Sequence, residues 1–512
     1  MTAPRLEIVP GEAALSDLER IARGKAALSL PPGSVDAIAN SAEAIRTILA
    51  DGRAVYGINT GFGLLADRRI EPKSLAALQR NLVLSHCCGV GAPFEDEVVR
   101  LIVALKALSL ARGYSGVTPA TVDALLALLD ADALPVIPSQ GSVGASGDLA
   151  PLAHLAAALM GVGQIRYGGG TFPASDALAR IGLTPLVPGP KEGLALLNGT
   201  QASTALALVA LFRGWRVFDA ALIAGAMSLD AMKGSDTPFD PRIHAVRGHK
   251  GQILVAQRLS GLLKGSEIRD SHRQCTRVQD PYSLRCQPQV MGAVLDVFEM
   301  AGETLRIEAN AVTDNPLIFA DSGEALSGGN FHAEPVAFAA DMLANALIEI
   351  ASLSERRLAL LLDPKWSGLP PFLARESGLH SGLMIAQVTA AALLAECRMI
   401  AHPASVDSIP TSANQEDHVS MATHGAARTL KIADMVAQIV GIELMAAAEG
   451  ISHHAPFRTS AALETAHRII RHAIAPLDED RYLAPDLAAA KDLVLGDALR
   501  PVPPSSGSAS GR

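Results

Sequence analysis

The chain is 512 residues long, with 49% hydrophobic residues, 19% charged residues and a formal net charge of −9. That length allows about three domains or one large helical unit, and the acidic balance argues against nucleic acid or an anionic membrane surface as a partner. Aromatic residues are only 4%, so the apolar content is mostly Ala and Leu, which favour helices and, with so few charges, point to a large interface between copies.

The first ten residues read as a loose start, and no basic segment followed by an apolar core marks a signal peptide. Helical periodicity begins near Ala13 and recurs from Val35 to Leu49, where Asp51-Gly52 stops it. A Gly-rich loop, Tyr56-Gly-Ile-Asn-Thr-Gly-Phe-Gly63, follows, and helices resume over 71–88, 94–112 and 119–131. Five cysteines (Cys87, Cys88, Cys275, Cys286 and Cys397) form an odd count without a CxxC pair, the pattern of reduced thiols in a cytoplasmic protein.

The next stretch, Gly141-Ser-Val-Gly-Ala-Ser-Gly-Asp148, packs three glycines and two serines into eight residues. It precedes an apolar helix from Leu149 to Met160 with Pro151 in the first turn, where a missing N–H costs nothing. A phosphate cradle is a poor reading, because no Lys follows the glycines and Asp148 would repel an anion. An ordinary turn competes with a loop in which one backbone nitrogen reaches a nearby carbonyl, and local pattern does not separate them.

Residues 161–190 hold Gly168-Gly-Gly170 and several prolines and predict irregular structure with a small hairpin. Long Ala/Leu-rich helices are expected over 193–232, 285–312, 332–362, 379–400, 418–449 and 459–475, which implies a bundle. The most apolar run, Gly193 to Phe212, carries Asn198, Thr200, Gln201, Ser203 and Thr204 and reads as a buried helix, not a membrane span. Asn198, placed mid-helix among aliphatics, is costly unless paired. Arg285, within Val278-Gln-Asp-Pro-Tyr-Ser-Leu-Arg-Cys-Gln287, can bind a carboxylate bidentately. His332-x-Glu334 lacks the P-C-x-x-C that a zinc deaminase needs, and no metal is expected. The tail 501–512 is low-complexity and reads as disordered.

The string GSVGASGDLAPLAH resembles the self-processing segment of the aromatic amino acid ammonia-lyases, and the resemblance runs from about Glu7 to Asp486. It implies that Ala145-Ser146-Gly147 cyclise and lose two waters, giving a methylidene-imidazolone (MIO) group, so that no dissociable cofactor is needed. It also implies a mainly α fold, a long-helix bundle of the ammonia-lyase/fumarase-like type with a smaller N-terminal mixed part carrying the active-site loops. The corresponding division is 1–113 with the Tyr56 loop, 114–500 as the bundle carrying the MIO loop, and 501–512 as the tail.

By the same resemblance, Tyr56 is a catalytic-loop tyrosine, Asn198 holds the substrate or the MIO oxygen, and Gln279, Tyr282 and Arg285 orient the substrate. Phe331, in Gly328-Gly-Asn-Phe-His-Ala-Glu334, lies against its ring. The pair Ser85-His86 and the carboxylate Glu416 match the branch that acts on histidine, with both side chains facing the imidazole. The implied reaction is deamination of L-histidine to trans-urocanate and ammonia, the first step of histidine degradation. The amine adds to the electrophile and a base removes the β-proton; Tyr56 is favoured, Tyr282 and Glu416 are rivals, and ring addition stays open. A phenol titrates near about 10 and must be lowered by positive potential to act as a base. The implied assembly is a cytoplasmic homotetramer with sites shared among three chains, with neither nucleic acid nor membrane as a partner. A tyrosine or phenylalanine lyase, an aminomutase, or a non-catalytic helical assembly protein are the competing readings.

Overall fold

In a computed structural model, residues 4–61, 68–273 and 278–500 are described. The expectations for Phe62, Gly63, Cys275 and the tail 501–512 lie outside the described residues. The chain divides into two units, one made of residues 1–210, 301–341 and 403–429 and the other of 211–300, 342–402 and 430–512.

All the described strands lie in the first unit, and they are short. Arg5–Glu7 pairs in parallel with Ala27–Ser29, and Val90–Pro93 runs antiparallel to Pro138–Gln140. Leu134–Pro135, Gln164–Tyr167 and Gly170–Pro173 form a three-stranded sheet whose last two strands are the expected hairpin. Leu317–Phe319 and Glu324–Leu326 make a further hairpin that packs Ile318 against Ile45, Ile48 and Ile58. None of these sheets is wide enough to be stable alone, so helices supply the core.

The helix Asp96–Leu110 is buried at every position from Leu101 onward. Burial at roughly 25 cal/mol per Å² makes such a run the main source of local stability, and a single Leu→Ala there should cost roughly 2–5 kcal/mol. Pro119 opens Pro119–Asp130 at a position whose N–H has no helical partner. Leu149–Leu159 is likewise buried along nearly its whole length.

The second unit is helical throughout its described structured elements. Trp215, Phe218 and Phe298 meet there edge-on and tilted, with centroids 5.3–6.2 Å apart. Arg357 and Glu443 are fully buried and pair through two bonds, with Ser228 donating to the same carboxylate at 2.7 Å. The helices Lys250–Leu263 and Ala484–Leu495 lie outside the spans expected from periodicity. Glu334–Leu362 is long and apolar enough to cross a membrane by composition alone, but 67% of its apolar window is buried within the fold.

The expected helix over 193–232 is broken. Glu192–Leu197 ends at Asn198, which is extended (φ −92°, ψ 134°), and Gln201–Ala231 starts three residues later. Gly199 at φ +133° makes the break possible, since a side chain there would overlap the Gln201 amide.

Candidate active site

A cleft of about 1320 Å³ opens in the first unit and is lined by Tyr56, His86, Ala145, Ser146, Asn198, Phe331 and Glu416, among others. Seven residues singled out from sequence thus converge, although they come from six separated segments.

The 141–148 bend is shaped by contacts that only glycine permits. Gly144 (φ +69°) and Gly147 (φ +75°) are left-handed, and a Cβ at Gly147 would overlap the Gly199 carbonyl. Gly147 and Gly199 instead form a parallel backbone bridge, and the Asp148 N–H donates to the Gly199 carbonyl at 2.7 Å. On the other side the Met421 N–H donates to the Val143 carbonyl at 2.9 Å. The bend is therefore held at both ends, with Ser146 between them.

Asp148 is fully buried and ties three elements together. Its carboxylate accepts from Ser142 Oγ at 3.0 Å, from the Ser203 N–H at 2.7 Å and Oγ at 2.9 Å, and from Thr423 Oγ1. The Ser203 bond falls at the start of the Gln201–Ala231 helix, where a carboxylate meets free N–H groups and the positive end of the dipole.

Ser146 presents two polar atoms to its neighbours. Its carbonyl accepts from Asn198 Nδ2 at 2.6 Å, and its hydroxyl donates to Glu416 Oε1 at 3.2 Å. The helix break puts the Asn198 amide there, which corrects the mid-helix placement. Its Oδ1 is buried without a hydrogen-bond partner, an acceptor left over in the wall of the cleft. Glu416 also accepts from Thr411 Oγ1 at 3.3 Å. The turn before it contains three consecutive left-handed non-glycine residues, Ser412, Ala413 and Asn414, a conformation that costs energy at each.

His86 ends the helix Leu75–His86. Its Nδ1 lies 2.7 Å from the Leu82 carbonyl. A carbonyl only accepts, so Nδ1 donates there and Nε2 is the ring nitrogen left for another partner. On the far wall His332 stacks on His418 with centroids 5.6 Å apart, beside Phe331. The Tyr56 loop is docked through Gly57, whose carbonyl accepts from Gln79 Nε2 at 3.4 Å, while Gln79 Oε1 accepts the Leu194 N–H at 3.0 Å.

Gln279, Tyr282 and Arg285 are not among the residues that line this cleft; they belong to the second unit. The Arg285 guanidinium sits 4.6 Å from the Tyr282 ring centroid, and Tyr282 is 71% exposed.

Sequence reasoning missed a buried cation behind the site. Lys106 is fully buried, and its Nζ donates to the Asn198 carbonyl at 2.8 Å and the Ala195 carbonyl at 3.1 Å. Burial pulls its ammonium down to about 7, opposed by Asp314 and Asp148 and reinforced by Lys191. Lys191 pairs with Asp314 at 2.7 Å, both buried. A lone Lys within the apolar run Leu101–Leu110 was the available signal.

Residues 13–472 match the family described as aromatic amino acid lyase. The chain is 59% identical over 507 residues to a histidine ammonia-lyase of Rhodospirillum rubrum, covering 98% of both sequences. Among solved structures, the histidine ammonia-lyase of Trypanosoma cruzi aligns with a TM-score of 0.89 at 39% identity, over 96% of this chain and 94% of that one. The tyrosine aminomutase of Streptomyces globisporus aligns at 0.92 and 34% identity, over 96% and 98%. With the family profile spanning most of the sequence and the fold shared end to end, the chain belongs to the aromatic amino acid lyase family.

Proposed function

We propose that this protein is a histidine ammonia-lyase that converts L-histidine to trans-urocanate and ammonia. One observation carries the reading: Ser146, within Ala145-Ser146-Gly147, bonds Asn198 and Glu416 in the same cleft as His86 and Tyr56. The bend fits the self-made MIO group, since Gly147 has no room for a side chain and Asn198 already binds the oxygen that becomes the ring carbonyl. Once formed, the group supplies an electrophilic methylidene carbon that no ordinary side chain offers. No metal or dissociable cofactor is required by this chemistry.

The chain's own residues then divide the remaining work. His86 Nε2 accepts from an imidazole N–H of the substrate, and Glu416 faces the other ring nitrogen. This polar pair favours histidine over tyrosine or phenylalanine, whose rings would leave both groups unpaired. Phe331 packs on the ring. Tyr56 takes the β-proton, the C–H electrons become the new double bond, and ammonia leaves with the C–N pair. Tyr282 and Glu416 remain rivals for that proton.

Gln279, Tyr282 and Arg285 complete the site from other copies, with Arg285 binding the substrate carboxylate. Exposed Val278 (95%), Tyr282 and Met399 (84%) support a buried role for these surfaces in a cytoplasmic homotetramer. The test is the intact mass together with turnover of histidine, tyrosine and phenylalanine. A chain lighter by two waters that turns over histidine fastest is expected, with both properties lost in Ser146→Ala. Full activity in that variant, or a preference for tyrosine, overturns the proposal.

A further inference from the structure

We infer that Lys106 is a positioning residue for closure of the 145–147 bend, acting through Asn198; this rests on the MIO reading above. The chain of contacts is short and buried. Lys106 Nζ holds the Asn198 carbonyl at 2.8 Å and the Ala195 carbonyl at 3.1 Å. Both carbonyls lie at the end of the Glu192–Leu197 helix, whose last C=O groups have no helical partner. Lys106 caps that end from a different helix and so fixes the backbone from which the Asn198 side chain projects. That side chain donates to the Ser146 carbonyl at 2.6 Å. The adjoining Gly199 is the backbone on which Gly147 and Asp148 rest.

Closure makes this placement matter. The Gly147 nitrogen bonds to the Ala145 carbonyl carbon, and the Ala145 oxygen leaves as water with the amide protons of Ser146 and Gly147. The second water takes the Ser146 hydroxyl and its Cα hydrogen, leaving the exocyclic double bond. The Ser146 carbonyl survives as the ring carbonyl, so the Asn198 donor polarises the same oxygen before and after closure. Lys106 spends its donors on backbone carbonyls and does not line the cleft. The charged groups that act on it are Asp314, Lys191 and Asp148. Replacing such a group for packing alone would favour an apolar side chain, since a buried ammonium is costly.

The test is a double-mutant cycle read by intact mass. Full-length wild type, Lys106→Met, Asn198→Ala and the double variant are refolded, and the fraction lighter by two waters is followed over days. Circular dichroism and assembly state are recorded in parallel. Lys106→Met should fold yet process at least about tenfold more slowly, the effect of losing one donor to a shaped oxygen. In the Asn198→Ala background the same change should add nothing. Lys106→Gln keeps an N–H donor and should recover part of the rate; it carries the same cycle if the Met variant does not fold. Wild-type processing in both Lys106 variants, or multiplying effects in the double variant, overturns the inference. A wild-type chain with no mass loss would instead overturn the MIO reading itself.

Discussion

Two buried charge arrangements in this molecule are equally hidden from water and organised in opposite ways. In the helical unit, Arg357 meets Glu443 directly, fork against carboxylate, with Ser228 filling a third position. In the mixed unit, the buried charges Lys106 and Asp148 point at backbone carbonyls, an N–H and hydroxyls. The first satisfies two charges with each other and joins three long helices. The second uses charge to hold peptide groups where an ordinary chain would not leave them. Burial alone therefore does not reveal a functional polar group; the identity of its partner does.

The contrast can be broken from either side. The largest effect is expected at Gly147→Ala, where the new Cβ overlaps the Gly199 carbonyl in a left-handed conformation. Intact mass should report no loss of water, and histidine turnover should be undetectable; processing at the normal rate would contradict the close-packed bend. Arg357→Met leaves Glu443 buried without its cation and should destabilise the fold by about 3–5 kcal/mol. Its surviving folded fraction should still lose two waters, and a drop in melting temperature without loss of processing is the expected pattern.

A smaller effect separates the arrangements by pH. Lys106 sits near about 7 in the folded chain against an ordinary 10.5. The unfolded chain therefore binds more protons between those values, and stability from this group rises with pH across the window. Compared with Lys106→Met, wild type should gain roughly 2 kcal/mol between pH 7 and 9; a constant difference in denaturant unfolding would show that burial does not pull this ammonium down. The smallest effect concerns the thiols. Burial pushes Cys87 and Cys397 up to about 11, while Cys88 is exposed. Alkylation at pH 8, mapped by peptide mass, should reach Cys88 first.

Much of this was legible in the sequence, and the limits have physical causes. Apolar periodicity located Leu75–His86, Asp96–Leu110, Pro119–Asp130 and the long helices, because one-sided burial leaves a regular trace. The Gly168-Gly169 turn marked its hairpin. Lys250–Leu263 escaped because polar residues such as Gln252 and Gln257 are scattered along it, and Gln252 is spent inside the fold on His244. The break at Asn198-Gly199 was hidden by flanking segments that are both good helix formers; tertiary contact with the 141–148 bend overrides propensity there. Tyr56, His86, Asn198, Phe331 and Glu416 were recognised as strings, and their convergence is a property of the fold. Gln279, Tyr282 and Arg285 were recognised in the same way, and they lie in the other unit, outside the residues that line the cleft.

The facing glycines at 147 and 199 also bear on attempts to redirect the enzyme. Each is held at a backbone angle that other residues resist; a methyl group at 147 would meet the Gly199 carbonyl, and one at 199 would meet the Gln201 amide and the Thr313 hydroxyl. Combinatorial libraries aimed at new substrates should therefore leave both positions fixed and spend their diversity at 86, 331 and 416. On the proposed function, a redesign that moves the two backbones apart would lose the electrophile before it gained a new specificity.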